Sequence, residues 1–143
     1  MQVDLATVRG FFQAAPFMAD LGVEVTAASE GCITAELTIQ PRHFQHTGQV
    51  HAGVMVTLAD HTMGAAAQTL APEGHWIITA ELKSSLLRAA KGQRLVCEAT
   101  VLKAGRRLSF TEAEVFALTA DARTLVMKAS ATMALVSVTS QKE

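Results

Sequence analysis

The sequence predicts an α+β domain in which one antiparallel sheet curls around a single long, buried helix. Three observations lead there. Residues 52–70 are apolar on nearly all sides, the mark of a helix with no broad face toward water. Around that stretch run segments in which apolar and polar residues alternate, as in half-buried strands: two precede it and four follow it. The chain has 143 residues, half of them apolar and 17% charged, enough for one self-sufficient core and too apolar for general disorder. A single domain over residues 1–143 is therefore expected.

Taken in order, Leu5, Val8, Phe11, Phe12 and Ala15 recur at helical spacing, which predicts an amphipathic helix over residues 4–15 that Pro16 ends. Val23 and Val25 open a first strand. Ile33, Ala35, Leu37 and Ile39 mark the second, with Ser29-Glu30-Gly31 as the turn. Pro41 starts a loop over residues 42–50, and the central helix follows until Pro72-Glu73-Gly74. Ile78, Ala80, Leu82 and Leu86 alternate in the next strand, then Leu95, Cys97, Ala99 and Val101 in another. Thr111, Ala113, Val115 and Ala117 give one face of the fifth strand, and Ala129, Ala131, Met133 and Leu135 one face of the sixth. One curled sheet with all its helical apolar surface in its concavity satisfies this order.

Composition excludes some functions. Twelve basic residues against 13 acidic ones argue against a nucleic-acid binder, which carries a basic excess. No basic-then-apolar leader is visible, and Asp60, His61 and Gln68 interrupt the most apolar stretch, so neither a targeting segment nor a membrane span is expected. Cys32 and Cys97 lie in no C-x-x-C pattern and read as reduced core residues of a cytoplasmic protein.

Asp60 is the first candidate for chemistry, because an ionised carboxylate inside an apolar helix costs several kcal/mol unless it is paired. A functional role justifies that cost; bonding to Thr57 or Thr62, or a place at a subunit boundary, is the alternative. A second candidate is the helix start at His51-Ala52-Gly53, where free N–H groups and the helix dipole favour developing negative charge. Ala52 and Asp60 lie eight residues apart, about 12 Å along a helix axis. Groups acting on one carbonyl must be within a few ångströms of it. If both serve one reaction, they meet across a two-fold dimer.

Other readings are weaker. His43, His46, His51, Asp60 and His61 fall within 19 residues but share no metal-ligand spacing, so no metal is expected. No G-x-S-x-G or G-x-G-x-x-G exists, and Gly48 and Gly53 lack the Lys-Ser/Thr of a P-loop. Seven of the 12 basic residues, including Lys91, Arg106 and Arg107, fall within residues 83–107, either as a phosphate-binding rim or as a solvated sheet edge.

Gln45-His46-Thr47-Gly48-Gln49-Val50-His51-Ala52-Gly53 followed by Leu58-Ala59-Asp60 resembles the signature of the hot-dog fold thioesterases, in particular the PaaI-like (phenylacetate-degradation type) acyl-CoA thioesterases. Thr79-Ala80-Glu81-Leu82-Lys83 and Lys103-Ala104-Gly105-Arg106-Arg107-Leu108 are similar to that family's next strand and hairpin. The resemblance implies a hot-dog domain and hydrolysis of acyl-CoA thioesters with no cofactor, CoA thioester being the substrate. It also implies a homodimer as the minimal active unit, assembled into a homotetramer. By position, Asp60 is then nucleophile or general base, and the Ala52 N–H of the other subunit polarises the carbonyl. Gln45 binds the carbonyl or orients water, Thr79 holds water, His51 joins them among the catalytic residues, and Gly53 is substrate-binding. Lys91, Arg106 and Arg107 would meet the CoA phosphates. A non-catalytic acyl-CoA binding or sensor protein of the same fold is the alternative.

Overall fold

A computed structural model describes residues 1–138. Helices α1 (Leu5–Gln13) and α2 (Pro16–Leu21) lead into strands β1 (Val23–Ser29) and β2 (Cys32–Thr38); α3 (Ala52–Gln68) follows, then β3 (His75–Leu86), β4 (Arg94–Ala104), β5 (Leu108–Leu118) and β6 (Arg123–Ser137). The six strands form one antiparallel sheet in the order β1-β2-β4-β5-β6-β3, so β1 and β3 are its edges. The expected curled sheet around a central helix is what the chain forms.

Local chemistry sets the boundaries. Asp4 caps α1 by accepting the Thr7 N–H at 2.8 Å. The expected N-terminal helix stops short, at Gln13, and Pro16 begins a second helix rather than simply ending the first. Proline suits that first position, where no helical N–H is required. Gly22, with φ of 87°, closes α2 in the left-handed conformation.

The concave face of the sheet is lined at its centre by small residues in register. Ala35 pairs with Cys97, Cys97 with Val115, Ala99 with Ala113, and Ala113 with Ala129. Those short side chains leave room for Met55, Leu58 and Met63 of α3, which are almost wholly buried. Thr62 turns its hydroxyl back onto the Leu58 carbonyl at 2.6 Å, so even the polar group on this face is satisfied.

Two expectations need correction. Ile78 and Ala80 were expected on the inner face with Leu82, but a bulge between Thr79 and Glu81 leaves Ala80 without a cross-strand partner. One extra residue reverses the alternation: Ile77 is half-buried against the core, whereas Ile78 is 48% exposed. Of the cysteines, Cys97 is buried and its thiol is pushed up to about 12, chiefly by burial, whereas Cys32 is exposed at the start of β2. Cys32 occupies the outward phase of β2, in which Ile33, Ala35 and Leu37 point inward.

Two glycines should respond oppositely to alanine. Gly92 has φ of 135°, and a Cβ there would lie 2.4 Å from the Leu118 carbonyl oxygen. Gly92→Ala is expected to destabilise by about 2 kcal/mol or more. Gly10, inside α1, has nothing within 4 Å of such a Cβ. Gly10→Ala should therefore stabilise by about 0.5–1 kcal/mol. Urea midpoints of the two variants check both signs.

Candidate active site

The loop before α3 is built on its histidines. His43 is buried; its Nδ1 accepts the Gln40 N–H at 3.0 Å, and its Nε2 lies 2.9 Å from the Leu21 carbonyl. Its own carbonyl accepts the His51 N–H at 2.8 Å, which fixes where α3 begins. His51 is the N-cap: Nδ1 accepts the Gly53 N–H at 2.8 Å. His51 and Gly53 are thus engaged with each other, while the N–H of Ala52 has no acceptor among the described residues.

Gln45 turns back on its own loop, with Oε1 accepting from the Thr47 hydroxyl at 2.7 Å and from the Thr47 N–H. A cleft of about 640 Å³ opens beside it, with Gln45, His51, Ala52, Met55, Leu87 and Arg88 in its lining. Periodicity could not have found Leu87 and Arg88 as cleft residues, because they follow β3 in irregular backbone.

Asp60 occupies a different place. It is half-buried, and its Oδ1 accepts the Thr79 hydroxyl of β3 at 2.7 Å. Thr57 and Thr62, the local partners considered from sequence, are not its partners; Thr62 bonds to Leu58 instead. Thr79 shares the facing of Ile77 and pairs in register with Met133, just before the bulge in β3. The Thr79 hydroxyl also lies 3.4 Å from the sulfur of the buried Met133. Neither Asp60 nor Thr79 lines the cleft at Ala52, in keeping with the axial separation of about 12 Å.

His61 packs against α1. Its ring stacks on Phe11 at 5.4 Å and meets Phe12 edge-on at 4.6 Å, both from α1. Its Nε2 is buried without a hydrogen-bond partner among the described residues. Burial lowers its pKa, opposed by the neighbouring Asp60 carboxylate. Among the described residues no three His, Cys, Asp or Glu side chains gather as a metal would require. No helix among them is long and apolar enough to cross a membrane.

The basic residues do not form one rim. Lys91 precedes β4 and Arg106 and Arg107 follow it, so the 11-residue strand separates them by about 35 Å. Arg94 pairs with Glu36, and the Arg88 guanidinium donates to the Leu125 carbonyl at 2.8 Å.

A six-stranded antiparallel sheet curled around one long helix is the hot-dog fold. Comparison with known proteins agrees. The thioesterase superfamily sequence model matches residues 47–124, more than half the chain. A Silicibacter pomeroyi thioesterase family protein superposes with a TM-score of 0.89 at 29% identity, over 94% of this chain and 99% of that one. A zebrafish thioesterase superfamily member 2 gives 0.81 at 26% identity, over 92% and 98%. A Haemophilus influenzae thioesterase, at 20% identity, shares the fold with a TM-score of 0.89 over 100% of this chain and 97% of its own. This chain belongs to the thioesterase superfamily, and its class of activity is hydrolytic.

The lowered pKa of the half-buried His61 has a consequence for stability. Below about pH 6.5 the unfolded chain binds a proton at this residue that the folded chain resists. Stability is therefore lost as pH falls through that value. Urea midpoints between pH 7.5 and 5.5 should drop more for the native protein than for His61→Phe, which keeps the ring stack and removes the titration.

Proposed function

We propose that the protein hydrolyses acyl-CoA thioesters to the free acid and CoA, and that two copies complete each active site. The observation that carries this reading is the Asp60–Thr79 hydrogen bond: a half-buried carboxylate on an apolar helix, aimed by a hydroxyl from the neighbouring strand. Water adds to the thioester carbonyl carbon while Asp60 takes its proton, or Asp60 itself adds and water then cleaves the resulting anhydride. The oxyanion forms against the Ala52 N–H of the second subunit. Its collapse expels the CoA thiolate, which recovers a proton. No step calls for a metal or cofactor.

Geometry supports the two-chain form. The amide and the carboxylate of one chain are too far apart for one carbonyl. β3 is a 12-residue edge strand with Trp76 and Ile78 exposed, a surface that monomers ordinarily cover or charge. Pairing through it would bring the partner's α3 alongside. The tetramer is proposed as a pair of such dimers in the cytoplasm. Gln45 would turn outward to meet the carbonyl. Of the basic residues, Lys91 stands at the cleft end of the sheet and Arg106 and Arg107 at the other, so the phosphates would meet only one group per chain.

Three variants test the roles, read as CoA thiol release with circular dichroism as the check on folding. Asp60→Asn should lose about 10³-fold in kcat. Thr79→Ala, which frees the carboxylate to swing, should lose about 10-fold or more. Ala52→Pro removes one N–H where proline is tolerated: Ala52 is the first residue of α3, and His51 already has ψ of 135°. It should keep the helix and lose about 10²–10³-fold in kcat. A parent protein that binds CoA thioesters without turning any over would instead be the sensor.

A further inference from the structure

Among the described residues His43 is the one histidine whose whole side chain is buried, at 1% exposed, and the proposed chemistry makes no use of it. A buried imidazole is costly unless its nitrogens find partners. Here both do, and each reaches a different segment. Nδ1 accepts the Gln40 N–H at 3.0 Å, just beyond β2, and Nε2 lies 2.9 Å from the carbonyl of Leu21, the last residue of α2. A nitrogen that accepts carries no proton, so the single ring proton is on Nε2 and is donated to Leu21.

With both nitrogens held, the ring is clamped and the backbone of His43 with it. A short turn reinforces the clamp: the His43 N–H donates to the Gln40 carbonyl at 2.9 Å and the Phe44 N–H to the Pro41 carbonyl at 3.0 Å. The carbonyl of His43 then accepts the His51 N–H at 2.8 Å. Between the two histidines the loop is closed on itself, with Phe44 bridged to Val50 and the Gln45 N–H donated to the Gln49 carbonyl at 2.8 Å, so its base moves as one piece. His51 is the N-cap of α3, and the peptide that follows it carries the Ala52 N–H. The His51 ring is bonded to the Gly53 N–H and travels with the helix start, so it cannot correct a shift there. His43 is outside the lining of the cleft beside Gln45, and both its nitrogens are taken.

We infer that His43 is a positioning residue: through its carbonyl and the His51 N–H, it holds the Ala52 N–H where the oxyanion forms. This rests on the proposed hydrolysis and adds the group that sets the geometry of its oxyanion site. A displaced amide still tolerates the substrate, but a donor serves the transition state only from the place the oxyanion will occupy. Loss of the clamp therefore acts on kcat rather than KM.

The test uses two half-replacements. His43→Asn sets an amide oxygen near the place of Nδ1 and keeps the Gln40 bond. His43→Gln extends an N–H toward Leu21 and keeps the other. Each is made in the native chain and in Ala52→Pro, and kcat and KM are read with the fastest of acetyl-, hexanoyl- and benzoyl-CoA, beside urea midpoints. Alone, each should lose about 10–100-fold in kcat with little change in KM. In Ala52→Pro the same change should cost less than about threefold, because the amide it positions is gone. An equal loss in both backgrounds overturns the inference. So does a lower urea midpoint with kcat unchanged, which leaves hydrolysis standing and His43 a packing residue. Ring ¹⁵N shifts of the native protein at pH 7.5 need no variant: a bare Nδ1 with a proton on Nε2 supports the clamp, and the reverse tautomer overturns it. A native protein that hydrolyses none of the three thioesters sinks the underlying reading and this role together.

Discussion

The depth at which α3 sits in the sheet is the constraint on which the other features depend. Ala35, Ala99, Ala113 and Ala129 line the middle of the concavity, so Leu58 and Met63 can fill it from the helix side. Larger strand residues would lift the helix, and Asp60 would lose reach to Thr79. The close approach also consumes the inward face of α3 entirely. What polar chemistry the helix carries must therefore lie on its remaining face, where Gly53, Thr57, Asp60 and Gly64 recur at helical spacing and are only half-buried or exposed.

That division resolves the apparent cost of an acidic residue on so apolar a helix. Asp60 is half-buried and receives a hydrogen bond, so it does not bear the penalty of an isolated interior charge. Thr79 makes this possible: in register with Met133 and on the same face of β3 as Ile77, it donates its hydroxyl to the carboxylate on α3. His61, adjacent on the helix, points into α1 instead and serves packing, although its buried Nε2 goes without a bond.

Much of the architecture was legible because hydrophobic periodicity records which side of an element is covered. The alternation of Thr111, Ala113, Val115 and Ala117 reads directly as the inner face of β5. The same logic fails wherever backbone irregularity breaks the period. A bulge carries no composition signal, so Ile78 and Ile77 exchange roles without a change in the residue pattern. Cys32 stands at a strand end where apolar character does not imply burial. For the site, spacing gave the axial separation of Ala52 and Asp60. The partner of Asp60 is 19 residues away in sequence and was named only through the resemblance. The basic residues looked like a cluster because one strand joins them in sequence, and the same strand holds its two ends apart in space.

If the Ala52 N–H and the Asp60 carboxylate serve one reaction, as proposed, their separation of about 12 Å along the helix cannot be corrected by local adjustment, because rise per residue is fixed by backbone hydrogen bonding. The remedy open to such a chain is symmetry. A two-fold axis perpendicular to the helix would set two copies of α3 antiparallel, with the start of one near the middle of the other, and would generate two equivalent sites at once. The exposed edge of β3 then has a physical reason to stay long and apolar, since the strand that holds Thr79 would also bring in the missing amide. Under the proposed two-chain hydrolysis, catalysis and assembly would be one selection pressure on β3, and a substitution that spares every proposed catalytic group but disturbs that edge should abolish thioester hydrolysis.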